Sequence, residues 1–200
     1  MTVITRLALA AAALGAAGHP TPKVVLVKHA DFIRQTLPGA RQYFVRTVTI
    51  GKQDLATIRQ VSDFTPDDAD VQFYLGQGDG GATVGVVLFQ QINTPHGPIE
   101  VGLTFGPDGA IGSAAVTTAT VETKPWVQEA TATGLMKRFV GMRQGDDARK
   151  VLGSADGQLG AMPQYMADLI ATAVGRGLAL HGTLYGDGGP TVFPAGRVTP

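Results

Sequence analysis

Hydrophobic and polar residues alternate along five stretches of the chain, four of which follow one another in its middle. Tyr43 to Ile50 shows the pattern first, with β-branched and aromatic residues at alternating positions. The other stretches are Val71 to Leu75, Ala82 to Gln91, Ile99 to Phe105 and Ile111 to Val121. A period of two predicts β-strands. Because short turns rich in Gly and Pro join the central stretches, we expect an antiparallel sheet of four or five strands.

Apolar residues at helical spacing flank this sheet. They predict a short helix from Lys28 to Leu37 and a long one from about Pro163 to His181. The same spacing predicts helices at residues 53–61, 126–140 and 146–152, with Gly134 weakening the second of these. The pattern therefore indicates an α+β fold, with an antiparallel sheet and helices packed at its N- and C-terminal ends.

The first eighteen residues have the composition of a secretory signal peptide. Arg6 precedes an apolar stretch from Leu7 to Leu14, and small residues follow at positions 15–18. This order is typical of a cleavable export signal, and the apolar stretch is shorter than the roughly 20 residues that span a bilayer. We expect residues 1–18 to be removed, residues 19–185 to form one periplasmic or otherwise extracytoplasmic domain, and residues 186–200 to be a flexible tail. The alternative for the first segment is an Ala-rich helix.

Charge and cysteine content narrow the possible chemistry. The chain has 16 Lys and Arg residues against 16 Asp and Glu residues, and the basic residues form no cluster. Nucleic acid is therefore not an expected partner. The absence of cysteine excludes disulfides, thiol catalysis and thiolate-bound metal or iron–sulfur centres. A redox role would need another cofactor.

The four histidines do not form a sequence-local metal motif. They lie at positions 19, 29, 96 and 181, without the i, i+4 spacing of a helical zinc site. One alternative involves His19, which becomes the mature N-terminus if cleavage follows Gly18. Its imidazole and free amine would then chelate copper together, and His and Met side chains offer a haem-binding alternative.

Two short segments are candidates for binding. Glu122-Thr123 ends the longest predicted strand and precedes a turn set by Pro125 with Trp126 as an aromatic anchor. Gly160-Ala161-Met162 comes just before the last helix, where free backbone N–H groups and the positive end of the helix dipole favour an anion such as phosphate. Each segment also has a purely structural interpretation as a strand end or a helix start.

Taken in chain order, residues 32–180 resemble the extracytoplasmic FMN-binding domain family, which occurs in subunits of membrane redox complexes. The order of the elements carries the resemblance more than any single motif. The matching segments are Leu37 to Ala40 before a strand, Val84 to Phe89 after a Gly-rich turn, Ile99 to Phe105, Pro107 to Gly109, Ile111 to Val121, the Glu122-Thr123 pair, Arg138 to Gly141, and Gly160-Ala161 before an apolar helix.

The resemblance implies a flavin cofactor and a set of contacts to it. In the family a Gly-Ala-Thr segment precedes the last helix, and the FMN phosphate can esterify its threonine; Met162 stands at that position here. It therefore implies non-covalent FMN, with the phosphate near Gly160, Ala161 and Met162 and the ring near Glu122, Thr123 and Trp126.

The resemblance also implies a setting for the protein. It would be an electron-transfer module beside a redox protein or membrane complex, with no transmembrane segment once the signal is removed. The alternative is an accessory or binding subunit that keeps the fold without the flavin, since fold alone does not fix function.

Overall fold

The computed structural model describes residues 21–62, 64–153 and 158–186. They form an α+β fold, as the sequence predicts, around one antiparallel sheet with the strand order β1-β6-β5-β4-β3-β2. The strands are β1 (Lys23–Val25), β2 (Gln42–Thr49), β3 (Asp70–Gln77), β4 (Thr83–Ile92), β5 (Ile99–Phe105) and β6 (Ile111–Thr120). Consecutive strands from β2 to β6 are neighbours, because short connections join them into a meander.

Five α-helices of the described residues accompany the sheet. They are α1 (His29–Thr36), α2 (Lys52–Ser62), α3 (Lys124–Ala132), α4 (Leu135–Arg138) and α5 (Ala161–Leu184). Short 3₁₀ turns lie at Asp79–Gly81 and Ala148–Val151. The second of these turns replaces the helix predicted at residues 146–152.

The main core lies between one face of the sheet and α5. Alternate residues of the central strands are fully buried there, because side chains on a strand alternate between faces. Gly177 of α5 lies so close to Leu103 of β5 that a Cβ atom would clash with the leucine side chain. The strand residues of this core include Phe73, Leu75, Val86, Leu88, Ile99, Val101, Leu103 and Phe105.

A smaller core lies on the opposite face under α1. Phe32, Ile33 and Leu37 pack there with Val87 of β4. Gly102 of β5 faces the Phe32 ring, and a Cβ atom at that position would lie 2.9 Å from the ring. Helices therefore cover both faces of the sheet, with α1 alone on this one.

The sheet has six strands, so the prediction of four or five strands was too low. The missed strand is β1, which pairs with β6 through Lys23↔Thr120, Val24↔Ala119 and Val25↔Thr118. It has three residues and lies at the sheet edge, and its Val25 is 62% exposed. Such a strand buries no apolar face, so it leaves no period-two pattern in the sequence.

The helix predicted at residues 126–140 is divided in two. Gly134 separates α3 from α4 and adopts a left-handed conformation with a φ of 81°, which glycine reaches without steric cost. The predicted signal (residues 1–18) and all of the predicted tail except Gly186 lie outside the described residues. None of the helices in the described part of the chain combines the length and the apolar character that crossing a membrane requires.

Candidate functional site

Two threonines lock the turn in which β6 ends. The Thr123 hydroxyl accepts a 2.9 Å hydrogen bond from the backbone N–H of Thr120, and the Thr120 hydroxyl accepts one of 3.1 Å from the N–H of Thr123. The Thr120 hydroxyl also donates to the His96 carbonyl at 2.9 Å. Both threonine side chains are completely buried. A contact from Thr123 to a cofactor stays a prediction; its observed role is to fix the turn that carries Glu122.

Glu122 and Trp126 both contact His96, a residue that the sequence did not place at the site. His96 Nδ1 lies 2.7 Å from Glu122 Oε1. The imidazole also meets the Trp126 ring edge to face, with ring centroids 5.2 Å apart. Gly97 makes this approach possible, because its φ is 94° and a Cβ atom there would lie 2.5 Å from the Thr120 side chain. The three side chains form a polar and aromatic group beside the start of α3.

The start of α5 has no side-chain cap. Gly160 is the N-cap residue, and the first backbone bond of the helix runs from the Gln164 N–H to the Gly160 carbonyl at 3.0 Å. Pro163 has no N–H. In the first turn of α5, the N–H groups of Ala161 and Met162 therefore have no acceptor within the described part of the chain. This helix of 24 residues directs the positive end of its dipole at the same point.

Gln164 adds an unsatisfied acceptor to the first turn of α5. Its Oε1 atom is buried and has no hydrogen-bond partner within the described residues. A buried acceptor without a partner is costly, so such an atom marks a place where a donor would bind favourably. Met162 is partly buried and packs against the main core. It has no hydroxyl to offer a phosphate.

Both predicted segments lie at the same end of the molecule. His181 stacks on Phe105, and Gly177 contacts Leu103, so α5 runs parallel to β5. At about 1.5 Å per helical residue, the helix from Met162 to Gly177 spans about 22 Å, whereas the strand from Ile99 to Leu103 spans about 13 Å. The first turns of α5 therefore lie toward the end of the sheet where β5 begins and β6 stops.

Helix α3 follows the first predicted segment, and α5 begins in the second. The two helices pack against each other. In the described part of the chain, no hydrogen bond or ring contact links Glu122, Thr123 or Trp126 to residues 160–162. The structure thus brings the predicted residues to one end of the molecule. Among the described residues, however, neither hydrogen bonds nor ring contacts connect the two segments. One group offers two backbone N–H groups at a helix start, and the other presents an aromatic ring beside a carboxylate.

Metal coordination finds no support in this region. No three His, Asp or Glu side chains within residues 21–62, 64–153 and 158–186 are grouped so as to hold a metal ion. The alternative of copper at His19 lies outside these residues.

Comparisons of the chain with protein-family models, with curated proteins and with solved structures found no match. The resemblance to the FMN-binding domain family therefore stays a prediction.

Proposed function

We propose that this protein binds flavin mononucleotide without a covalent bond, at the end of the molecule where α5 begins. One observation carries the proposal: within the described residues, two N–H groups without an acceptor, of Ala161 and Met162, share the first turn of α5 with a buried and unpartnered acceptor, Gln164 Oε1. A phosphate ester with an adjoining hydroxyl is complementary to such a pair, since the phosphate accepts and the hydroxyl donates.

The residues present fit the parts of FMN in turn. The N–H groups of Ala161 and Met162 would hold the phosphate, assisted by the dipole of α5. Gln164 would accept from a ribityl hydroxyl, and Trp126 with Glu122 would border the ring system. Because Met162 offers no hydroxyl, an ester to the phosphate cannot form at that position. When bound, the flavin supplies one- and two-electron chemistry, and the protein binds and orients it.

The setting that we propose follows from the resemblance and from the N-terminal segment. An exported flavin domain would exchange electrons with a redox protein or membrane complex outside the cytoplasm. The accessory role without flavin remains the second candidate. Pro163 favours it, because this residue removes one of the donors that a phosphate site at a helix start would otherwise use.

The test compares FMN with riboflavin, which lacks the phosphate. Trp126 is the only tryptophan, and its fluorescence will be quenched by a flavin bound beside it. We expect the full chain to bind FMN about tenfold or more tightly than riboflavin, because charge-assisted hydrogen bonds to the phosphate are worth about 1.5–3 kcal/mol. Equal affinity for the two would show that the phosphate is not held at α5.

The variant Ala161→Pro sharpens this test. Proline is well tolerated at the first position of a helix, so the substitution removes one N–H donor while leaving α5 intact. FMN affinity should fall about tenfold and riboflavin affinity should stay within about twofold. A protein that binds neither flavin would support the accessory role. Flavin that stays on the polypeptide after denaturation would contradict our interpretation of Met162.

A further inference from the structure

Strands β3 and β4 separate at one end, and a cavity opens between them. Their pairing stops at Phe73↔Leu88. Beyond that point β3 stays paired with β2 as far as Asp70, and β4 stays paired with β5 as far as Ile92. A cavity of about 310 Å³ lies at the separation, and we call it the strand cleft. Its volume is within the range of small-molecule sites.

Glu100 lines the strand cleft, and its carboxylate is held by several hydrogen bonds. Its Oε1 atom accepts from the Thr117 hydroxyl at 2.5 Å and from the Thr118 hydroxyl at 3.3 Å, and it lies 2.7 Å from His29 Nε2. The other oxygen, Oε2, makes no hydrogen bond to the described residues. A side chain that is only 18% exposed is therefore held in one orientation with one acceptor atom free.

A β-bulge explains this arrangement. Glu100 pairs with Thr118, and the next residue of β5, Val101, pairs with Val116, so Thr117 is an extra residue in β6. A bulge re-aims side chains that would otherwise alternate between the two faces of a sheet. Here it brings two consecutive threonine hydroxyls to the same carboxylate.

Aromatic rings border the cleft next to this carboxylate. The imidazole of His29 stacks on Phe89 with ring centroids 3.8 Å apart, and Tyr74 meets Phe89 edge to face at 5.5 Å. Burial, and then the negative charge of Glu100, raise the pKa of Tyr74 above 10.0, so its phenol is neutral. The faces of such rings attract cations.

Carboxylates are the main charged groups around the cleft. Among the described residues its lining includes Glu100, Asp67, Asp68 and Asp70, and no Lys or Arg. Lys23 and Lys28 line a neighbouring cavity, and the Lys23 ammonium donates to Gln91 Oε1 at 3.5 Å. Neither lysine makes an ion pair with Glu100 in the part of the chain that the structure describes. The field in the cleft therefore favours a positive charge.

We infer that the strand cleft is a binding site for an organic cation, a primary ammonium carried on a small aromatic or aliphatic body. The ammonium donates to Glu100 Oε2, and the body packs against Tyr74 and Phe89. This site shares no residue with the flavin site proposed above. The two proposals therefore stand or fall separately.

Three probes of similar shape test the inference on the full chain: benzylammonium, benzyl alcohol and benzoate. Binding is followed through the backbone amide shifts of ¹⁵N-labelled protein. We expect benzylammonium to bind with a Kd of about 1 mM or below, and the neutral and anionic probes to bind at least about tenfold more weakly. Saturable shifts should centre on Tyr74, Phe89 and Glu100. Equal binding of the three probes, or no saturable shift up to about 20 mM benzylammonium, would overturn the inference.

Matched variants separate the cleft from the rest of the surface. Glu100→Gln should weaken benzylammonium binding about tenfold or more, whereas Glu122→Gln, which alters the other His–Glu pair, should change it by less than about twofold. If Glu100→Gln does not fold, Tyr74→Leu tests the inference instead. It should weaken binding about threefold to tenfold, and the exposed control Tyr165→Leu should leave it unchanged. Equal effects within either matched pair would also overturn the inference.

Discussion

The described part of the chain contains two His–Glu pairs of the same length in very different surroundings. His29 lies 2.7 Å from Glu100, and His96 lies 2.7 Å from Glu122. Glu100 is 18% exposed and accepts two further bonds from threonine hydroxyls, whereas Glu122 is 43% exposed and has no other hydrogen bond within the described residues. The distance alone would make the two pairs look equivalent. Their neighbours show that only the first carboxylate is held from several sides.

The difference follows from where each glutamate lies in the chain. Glu100 belongs to β5, in the interior of the sheet, so strand partners surround it. Glu122 belongs to the turn after β6, where one side of the residue faces solvent. A carboxylate that is desolvated and hydrogen-bonded contributes more to stability and to recognition than one that water can also satisfy.

The largest expected effect comes from removing a threonine hydroxyl beside Glu100. Thr117→Val keeps the shape of a completely buried side chain and deletes its 2.5 Å hydrogen bond to the carboxylate. We expect the free energy of unfolding to fall by about 2 kcal/mol, the usual cost of losing a buried hydrogen bond to a charged group. Urea denaturation followed by circular dichroism measures the change.

Thr118→Val is the matched control for this substitution. Its hydroxyl lies 3.3 Å from the same carboxylate, and the side chain is only partly buried. The loss should stay below about 1 kcal/mol. Equal losses in the two variants would show that the bulge does not single out Thr117 as the main support of Glu100.

A smaller effect is expected from neutralising the two glutamates themselves. Glu100→Gln should lower the free energy of unfolding by about 1 kcal/mol, because the amide keeps the shape but weakens three charge-assisted contacts. Glu122→Gln should cost less than about 0.5 kcal/mol, since exposed ion pairs contribute little. Thermal unfolding of both variants at one pH measures the difference. Should Glu122→Gln prove the more destabilising, our ranking of the two pairs would be wrong.

The strands and main helices were predictable because they bury one face. The strand predicted from Ile99 to Phe105 matches β5 at both ends, and the predicted last helix differs from α5 by two residues at its start and three at its end. Periodic burial leaves a periodic sequence. The edge strand β1 was missed, because it buries no apolar face. Gly134 was expected only to weaken one helix, and the full break there depends on its left-handed backbone conformation.

The candidate sites were predictable only where their residues are neighbours in sequence. Glu122, Trp126 and residues 160–162 stand out as a strand end and a helix start. His96 and Gln164 did not, because their roles depend on contacts with residues distant in the chain or on burial.

The strand cleft illustrates this limit most clearly. Period-two alternation assigns the consecutive threonines 117 and 118 to opposite faces of the sheet, and the bulge brings them together. The separation of β3 from β4 likewise arises from pairing, since β3 stays paired with β2 and β4 stays paired with β5. Neither feature has a local pattern that the sequence would reveal.

The smallest expected effect is a change in the ionisation of Tyr74. Burial raises the pKa of Tyr74 first, and the charge of Glu100 raises it further. Glu100→Gln should therefore lower this pKa part of the way toward 10.0, and Glu122→Gln should leave it unchanged. A raised tyrosine pKa contributes stability that is complete below the unfolded pKa and lost as pH rises through the folded one. Glu100→Gln should thus make the loss of stability between neutral and alkaline solution smaller. Titration of the ¹³Cζ resonance of Tyr74 measures the shift. An unchanged Tyr74 titration in Glu100→Gln would mean that the charge of Glu100 is screened from the Tyr74 phenol more strongly than its position indicates.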